Sequence, residues 1–251
     1  MHQTPMHLRV QIPAHNEAAT LAAVVREVTT AARDLLRAGD RLSVLIIDDG
    51  STDATPAVCA RLLATVPELA VRRNPRRQGL GASFRLGVAA ALQDAVDVLA
   101  HIDADGQFDA AELALLVPPV RDAGFDLVVG SRFLGRRDRV AMPAVRRYGN
   151  FAVAWLVSSL AGRRLTDVSC GFRAFSRRAL ATMQLQGDFT YTHETILQAS
   201  FAGLAIDEVA VSAGRRRFGA SRLARSSLVY GVRAGRIIWR TALHRRDVGR
   251  P

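Results

Sequence analysis

LSVLIIDDGSTD, residues 42–53, is a nearly unbroken apolar run that stops at two aspartates, a glycine and three more polar residues. An apolar stretch of this length without polar alternation is what a strand covered on both faces requires, and Asp-Gly-Ser is a turn signal. The same grammar recurs on both sides. Residues 8–13 (LRVQIP) read as a strand ending at His15-Asn16-Glu17, 96–102 as a strand ending at Asp103, and 126–129 as a strand ending at Gly130-Ser131-Arg132. A short strand is expected at 69–72. Between them lie helical patterns at 17–37 (Leu21, Val24, Val25 and Val28 on one face), 54–65, 81–94 and 110–122. Alternating strands and helices with buried-type strands predict an α/β fold with a mainly parallel sheet flanked by helices.

In such sheets ligands sit beyond the carboxyl ends of the strands. The clusters at 15–17, 48–53, 103–107 and 130–132 are far apart in sequence, and the fold would bring them to one rim. After residue 133 the character changes. A basic loop (134–147) with Arg136, Arg137, Arg139, Arg146 and Arg147 leads into an apolar helix at 148–160. A turn and strand are expected at 166–175, a helix at 193–202, a strand at 205–211, a basic loop at 215–222 and a long last helix at 223–244. No repeat, low-complexity segment or linker interrupts the pattern. One domain is expected, with residues 1–222 as its catalytic body and 223–251 as a C-terminal amphipathic extension.

The chain has 251 residues, 49% hydrophobic and 23% charged, enough to bury a sizeable core. Basic residues outnumber acidic ones 34 to 23, a formal charge of +11, which points to an anionic partner such as a nucleotide, a phospholipid head group or a nucleic acid. Every basic residue is arginine. Without lysine there is no Schiff-base or P-loop lysine, which excludes pyridoxal-phosphate enzymes and Walker-type NTPases. Two cysteines, Cys59 and Cys170, make neither a disulfide framework nor a cysteine-rich zinc site, and both are expected reduced. Residues 1–9 lack the apolar core of a signal peptide, and no apolar stretch reaches the roughly 18–20 residues that span a bilayer. A cytoplasmic protein is expected.

Asp103-Ala104-Asp105 ends a strand, so its two carboxylates point the same way if the chain stays extended. Hard oxygen donors suit Mg²⁺ or Mn²⁺, and Gln107 could add an amide oxygen. A solvated turn explains an isolated pair of aspartates equally well. At 48–53 a carboxylate could hold base N–H groups or ribose hydroxyls, or cap the next helix. Asp48 is expected to bind and Asp53 or Ser51 to cap. Asn16 is a plausible N-cap.

The set PAHNE (13–17), DDGSTD (48–53), DADGQ (103–107), GSRF (130–133), DVSCGFRAF (167–175) and RFGASRL (217–223) resembles the family 2 glycosyltransferases, and more closely their polyprenol-phosphate branch, the dolichyl-phosphate mannose synthases and their bacterial and archaeal relatives. The resemblance spans nearly the whole chain, in the family's order. It implies a GT-A fold, a nucleotide-diphosphate sugar donor (GDP- or UDP-hexose), a divalent metal and inverting transfer to polyprenyl phosphate. It places Pro13, His15, Glu17, Asp48 and Asp49 around the nucleoside, and Asp103, Ala104, Asp105 and Gln107 at the metal and diphosphate. Arg132 would clamp a phosphate, as would Arg216 and Arg222; Arg222 stands where the family usually has lysine. Asp167 is a candidate orienting residue or base. Arg146, Arg147, Arg216 and Arg217 are candidates for the acceptor phosphate.

A phosphate acceptor is already an anionic nucleophile and needs no strong base, whereas a hydroxyl acceptor does. Glu194 could serve as that base, or stabilise a helix N-terminus. Transfer to a glycan or metabolite hydroxyl is therefore the second reading. A nucleic-acid-binding protein is a third, suggested by charge alone, and a nucleotidyltransferase a fourth. Leu228, Val232, Trp239 and Leu243 fall on one face of the last helix, with Arg233, Arg236 and Arg240 as a basic stripe. Peripheral association with the inner face of the membrane is expected from them, or packing on the protein. A membrane-protein partner or a homo-oligomer is also open.

Overall fold

The computed structural model describes residues 4–134, 144–186, 191–214 and 227–243, without the side chains of 144–147 and 227–233. Seven strands form one sheet: β1 (His7–Ala14), β2 (Arg41–Asp48), β3 (Leu69–Arg73), β4 (Val98–His101), β5 (Leu127–Ser131), β6 (Arg173–Ser176) and β7 (Ile206–Ala210), in spatial order β3-β2-β1-β4-β6-β5-β7. β3, β2, β1 and β4 run parallel, as do β5 and β7; β6 is antiparallel to both β4 and β5. The sheet is mainly parallel, as expected. The order turns back on itself between β1 and β4, the switch point at which open α/β sheets leave a crevice.

The helices are α1 (Leu21–Arg33), α2 (Thr55–Leu63), α3 (Leu80–Gln93), α4 (Leu113–Asp122, preceded by a 3-10 turn at Ala110–Glu112), α5 (Ala144–Ala161), α6 (Arg177–Thr182), α7 (Thr192–Phe201) and α8 (Ser227–Leu243). One apolar layer joins Leu8, Val10, Ile12, Val44 and Ile46 of the sheet to α1, α2 and α4. The other joins Leu99, Leu127, Val129 and Phe175 to α3 and to the later helices through Phe84, Ile196, Leu197 and Ile238. β2 is buried on both faces from Val44 on, as its unbroken apolar run demands.

Several expectations change. α1 starts four residues late, because Asn16 is not its cap: Thr20 occupies that position. Helix α5 begins at Ala144, so the basic loop ends sooner than residue 147. α6 was not foreseen; Ser176 caps it by accepting from the Ala179 N–H, a signal hidden inside an expected strand–loop boundary. Both cysteines are free and fully buried, with burial pushing the Cys59 thiol up to about 11 and the Cys170 thiol up to about 12. They are inert packing residues. No described helix is long and apolar enough to cross a membrane.

Candidate active site

The loops after β1 and β2 are sewn together. Asn16 sits at φ 56, a left-handed conformation that asparagine tolerates. Its Oδ1 accepts from the Thr52 N–H at 2.7 Å and the Asp53 N–H at 3.3 Å, and its own N–H donates to Ser51 Oγ at 2.9 Å. The Glu17 N–H donates to Thr55 Oγ1 at 2.9 Å. His15 donates from Nδ1 to the Asp49 carbonyl at 2.8 Å, which assigns the tautomer. Asp53 accepts from the Thr55 N–H within the turn that enters α2, but Ala54 holds the N-cap position with no side-chain cap bond, so neither Asp53 nor Ser51 is the cap. Gly50, at φ +63, is required twice over: a Cβ there would lie 2.4 Å from the Arg76 backbone.

The two aspartates of this turn diverge. Asp48 is buried; its Oδ1 accepts from the Ser51 N–H, while Oδ2 lies 3.2 Å from Arg73 Nε without hydrogen-bond geometry. Arg73 also donates to the Ser51 carbonyl. Asp49 has both oxygens engaged, Oδ1 by Asn74 Nδ2 and the Gln78 N–H, Oδ2 by the Gly79 N–H. It fixes the 74–79 loop at the head of α3. That corrects the expectation of a nucleoside contact through its carboxylate.

Asp103 and Asp105 follow β4 at the switch point. The Asp103 side chain is 32% exposed and accepts no hydrogen bond among the described residues. Ala104 and Asp105 are buried. Asp105 Oδ1 accepts from the Gln107 N–H at 3.0 Å, a turn that leaves Gly106 at φ 68. Gln107 Nε2 donates to the Gly214 carbonyl, and the Gly214 N–H donates back to the Gln107 carbonyl at 2.8 Å. The amide nitrogen is thus turned toward the end of β7, and Oε1 is the atom it can offer an ion. No three histidine, cysteine, aspartate or glutamate side chains cluster as a metal cage among the described residues. Two carboxylates and an amide oxygen are the hard, incomplete donor set that suits Mg²⁺ or Mn²⁺ shared with substrate oxygens. The residues fit such an ion.

Because β6 runs antiparallel, the segment before it, residues 167–172, reaches the same rim as the ends of β4 and β5. There Asp167, buried, takes a two-pronged ion pair from Arg132: Nε at 2.6 Å and Nη2 at 2.9 Å. This edge of Arg132 is committed to Asp167. Glu208 on β7 accepts from the Thr166 and Asp167 N–H groups at 2.9 and 2.8 Å, and Ser131 and Thr166 share a hydroxyl bond of 2.6 Å. Phe133 packs on Phe151 of α5.

Glu194 was expected near the rim. It is only 2% exposed, and its Oε1 accepts from the Gln186 N–H and Gln198 Nε2. A carboxylate so enclosed binds its own protein, and no base role is assigned to it. Neighbouring His193 is buried, and burial, helped by Arg173, pushes it down to about 3, so it stays neutral. Pro13 is buried at the end of β1, and Glu17 is half-buried beside it. Arg216, Arg217 and Arg222 lie outside the described residues; so do Arg136, Arg137, Arg139 and the side chains of Arg146 and Arg147.

Sequence reading missed Arg173, His101 and Arg73. Arg173 is wholly buried and donates to the carbonyls of Val168, Cys170 and Thr192 and to Thr195 Oγ1. It ties the 168–170 turn to the start of α7. The available signal was polar residues inside apolar strands: His101 in VLAHI, Arg173 in GFRAF.

Comparison with known proteins fits this geometry. The model of the family Glycosyl transferase family 2 matches residues 10–183, more than half of the chain. The polyprenol monophosphomannose synthase of Mycolicibacterium smegmatis is 28% identical over 87% of this chain and 82% of that protein. The undecaprenyl-phosphate mannosyltransferase of Micrococcus luteus is 28% identical over 87% of this chain and 88% of that protein. Among solved structures, glucosyl-3-phosphoglycerate synthase from Mycobacterium tuberculosis, in complex with Mn²⁺, UDP and glucosyl-3-phosphoglycerate, superposes with a TM-score of 0.67 at 23% identity, over 98% of this chain and 81% of that one. That likeness concerns the fold.

Proposed function

Since the chain belongs to glycosyl transferase family 2, and is therefore a glycosyltransferase, we propose that it moves a hexose from a nucleotide-diphosphate sugar to polyprenyl phosphate, with inversion and with Mg²⁺ or Mn²⁺. The observation that carries the reading is the pair Asp103 and Asp105 at the switch point, beside the Arg132–Asp167 pair. The activities for which the relatives from Mycolicibacterium smegmatis and Micrococcus luteus are named support the acceptor class.

Asp103, Asp105 and the Gln107 amide oxygen would hold the ion. Bound there, it would neutralise charge growing on the departing diphosphate. Asp48 would read the base, with Arg73 beside it, and the 15–17 loop would wall the nucleoside. Asp167 would act as the orienting residue, holding Arg132 at the rim. In the reaction an acceptor phosphate oxygen gives an electron pair to the anomeric carbon as the carbon–oxygen bond to the diphosphate breaks. The pair of that bond leaves with the nucleoside diphosphate. No proton has to move, which agrees with a site whose enclosed carboxylate, Glu194, is bonded elsewhere.

The acceptor would arrive from a membrane surface. Tyr148, Phe151, Trp155 and Leu156 stand exposed along α5, and Trp239 and Leu243 on α8. The opposite side of α8 is buried: Ala234, Ile237, Ile238 and Thr241 face the protein. In this reading the exposed face of α8 would meet the membrane while its buried face packs on the protein. Residues 223–226 and 244–251 lie outside the described residues, and the division of the chain at residue 222 stands as part of this proposal.

The test is transfer from a panel of nucleotide sugars with Mg²⁺ or Mn²⁺, with and without a short polyprenyl phosphate, reading free nucleoside diphosphate and organic-extractable sugar. Lipid-dependent transfer from one donor is expected, and Asp105→Ala should lower it by on the order of a hundredfold or more. Donor turnover indifferent to lipid phosphate would overturn the acceptor in favour of a hydroxyl. Substantial transfer by Asp105→Ala would overturn the metal site.

A further inference from the structure

One level below the rim, strand register lines up polar side chains in the middle of the sheet. Gln11 of β1 pairs with His101 of β4, and His101 with Arg173 of β6. All three are fully buried, on the face covered by α3 and α7. Gly87 of α3 rests on this row, where any Cβ would strike the Gln11 amide, and Gln11 Nε2 donates to the Ser83 carbonyl.

His101 is the central member. It is clamped by aromatic rings: Phe84 meets it edge-on at 5.3 Å and Tyr191 lies at 4.9 Å, the two being stacked on each other at 3.9 Å. Tyr191 is pinned in turn by its hydroxyl, which donates to the Gly171 carbonyl at 3.0 Å. Neither imidazole nitrogen has a hydrogen-bond partner among the described residues, although the ring is wholly enclosed. A buried imidazole without partners is unfavourable, and apolar residues would fill the same space without that penalty. Its Nε2 lies 3.8 Å from Asp103 Oδ1. On the other side of that carboxylate is Gly171, where a Cβ would come within 3.1 Å of Asp103 Oδ2.

We propose that His101 is a positioning residue for Asp103: its Nε2–H sits beneath the carboxylate and, with Gly171 beside it, sets the rotation at which Asp103 meets a divalent cation. A side-chain rotation of a few tens of degrees would close 3.8 Å to hydrogen-bond distance. The inference rests on the proposed metal role of Asp103. It extends that role to a residue that cannot itself reach substrate. Partners of metal-binding groups typically change metal affinity ten- to a hundredfold when removed.

The experiment measures Mn²⁺ binding without turnover, from the loss of the free-ion electron paramagnetic resonance signal, with UDP or GDP present and no acceptor. His101→Phe keeps the ring and removes the donor; His101→Gln keeps a donor. We expect Mn²⁺ binding weakened about tenfold or more in His101→Phe and partly restored in His101→Gln. Nucleotide binding without metal should be unchanged in both. Gly171→Ala, which keeps the imidazole and crowds Asp103 Oδ2 from the other side, gives a second reading and should weaken Mn²⁺ in the same direction. Wild-type Mn²⁺ affinity in both His101→Phe and Gly171→Ala, with binding lost in Asp103→Asn, would overturn the positioning role while keeping the metal site. Failure of the wild-type protein to bind Mn²⁺ with either nucleotide would overturn the metal reading and this inference together.

Discussion

His193 is enclosed at the start of α7, and burial, with Arg173 close by, holds its pKa down at about 3. An unfolded histidine takes its proton near 6.5. Between those values the unfolded chain holds one proton more than the folded one. Stability is therefore complete above about pH 6.5 and falls as the pH drops, by about 1.4 kcal/mol per unit for one such residue. His7 and His101 are lowered as well, each chiefly by burial, and act in the same direction. The lowered carboxylates Asp40, Asp53 and Asp94 contribute only below about pH 4, so the histidine effect stands alone between about pH 5 and 6.5. Urea midpoints across that interval should decline in the wild type and less steeply in His193→Gln; equal slopes would mean that His193 is protonated in the folded protein. At this scale the sequence was legible for residues that act locally. Gly50, in the turn after β2, is one. It was silent on Asp49, whose carboxylate reaches residues 74, 78 and 79. It was silent too on the Arg132–Asp167 pair, which joins residues 35 apart.

Helix α3 is held to β1 where Gly87 meets Gln11, and this contact separates two effects of the same substitution. Glycine-to-alanine in a helix interior is intrinsically stabilising by about 1 kcal/mol. At Gly87 the new methyl would overlap the Gln11 side chain, which is completely buried and has no open space to retreat into. Overpacking of that kind costs about 1–3 kcal/mol, so Gly87→Ala should lose about 1 kcal/mol net. Gly149 in α5 meets nothing within 4 Å, and Gly149→Ala should gain about 0.5–1 kcal/mol. Denaturant midpoints of the two variants should move in opposite directions. A stabilised Gly87→Ala would show that α3 is loosely seated. Elements themselves were readable from periodicity. β2 and α2–α4 lie within a few residues of their expected bounds. What periodicity could not reveal is strand direction. β6 reads like its neighbours in sequence yet runs against them, and that reversal carries residues 167–172 to the rim.

Across the whole molecule, the exposed aromatic residues of α5 and α8 belong to a protein of formal charge +11. In the proposed function these side chains would sit at the interfacial level, with arginines toward anionic head groups. Arg236 on α8 is exposed next to Trp239. Flotation with anionic liposomes should therefore occur, weaken with salt, and fall several-fold when Trp155 and Trp239 are both replaced by serine. Flotation unchanged by that replacement would place the contact elsewhere. Sequence alone determined the alternation of strands and helices, the order of the polar clusters at strand ends and the exclusion of lysine chemistry. These are local properties: a period of two or of 3.6, a turn residue, a missing side chain, each readable within a window of a few residues. Only the tertiary structure decided which carboxylates remain available and which are bound by the protein itself. It separated Asp48 from Asp49 and enclosed Glu194. It also set His101 beneath Asp103. Those outcomes depend on register, strand direction and packing between segments many residues apart, which no local pattern encodes.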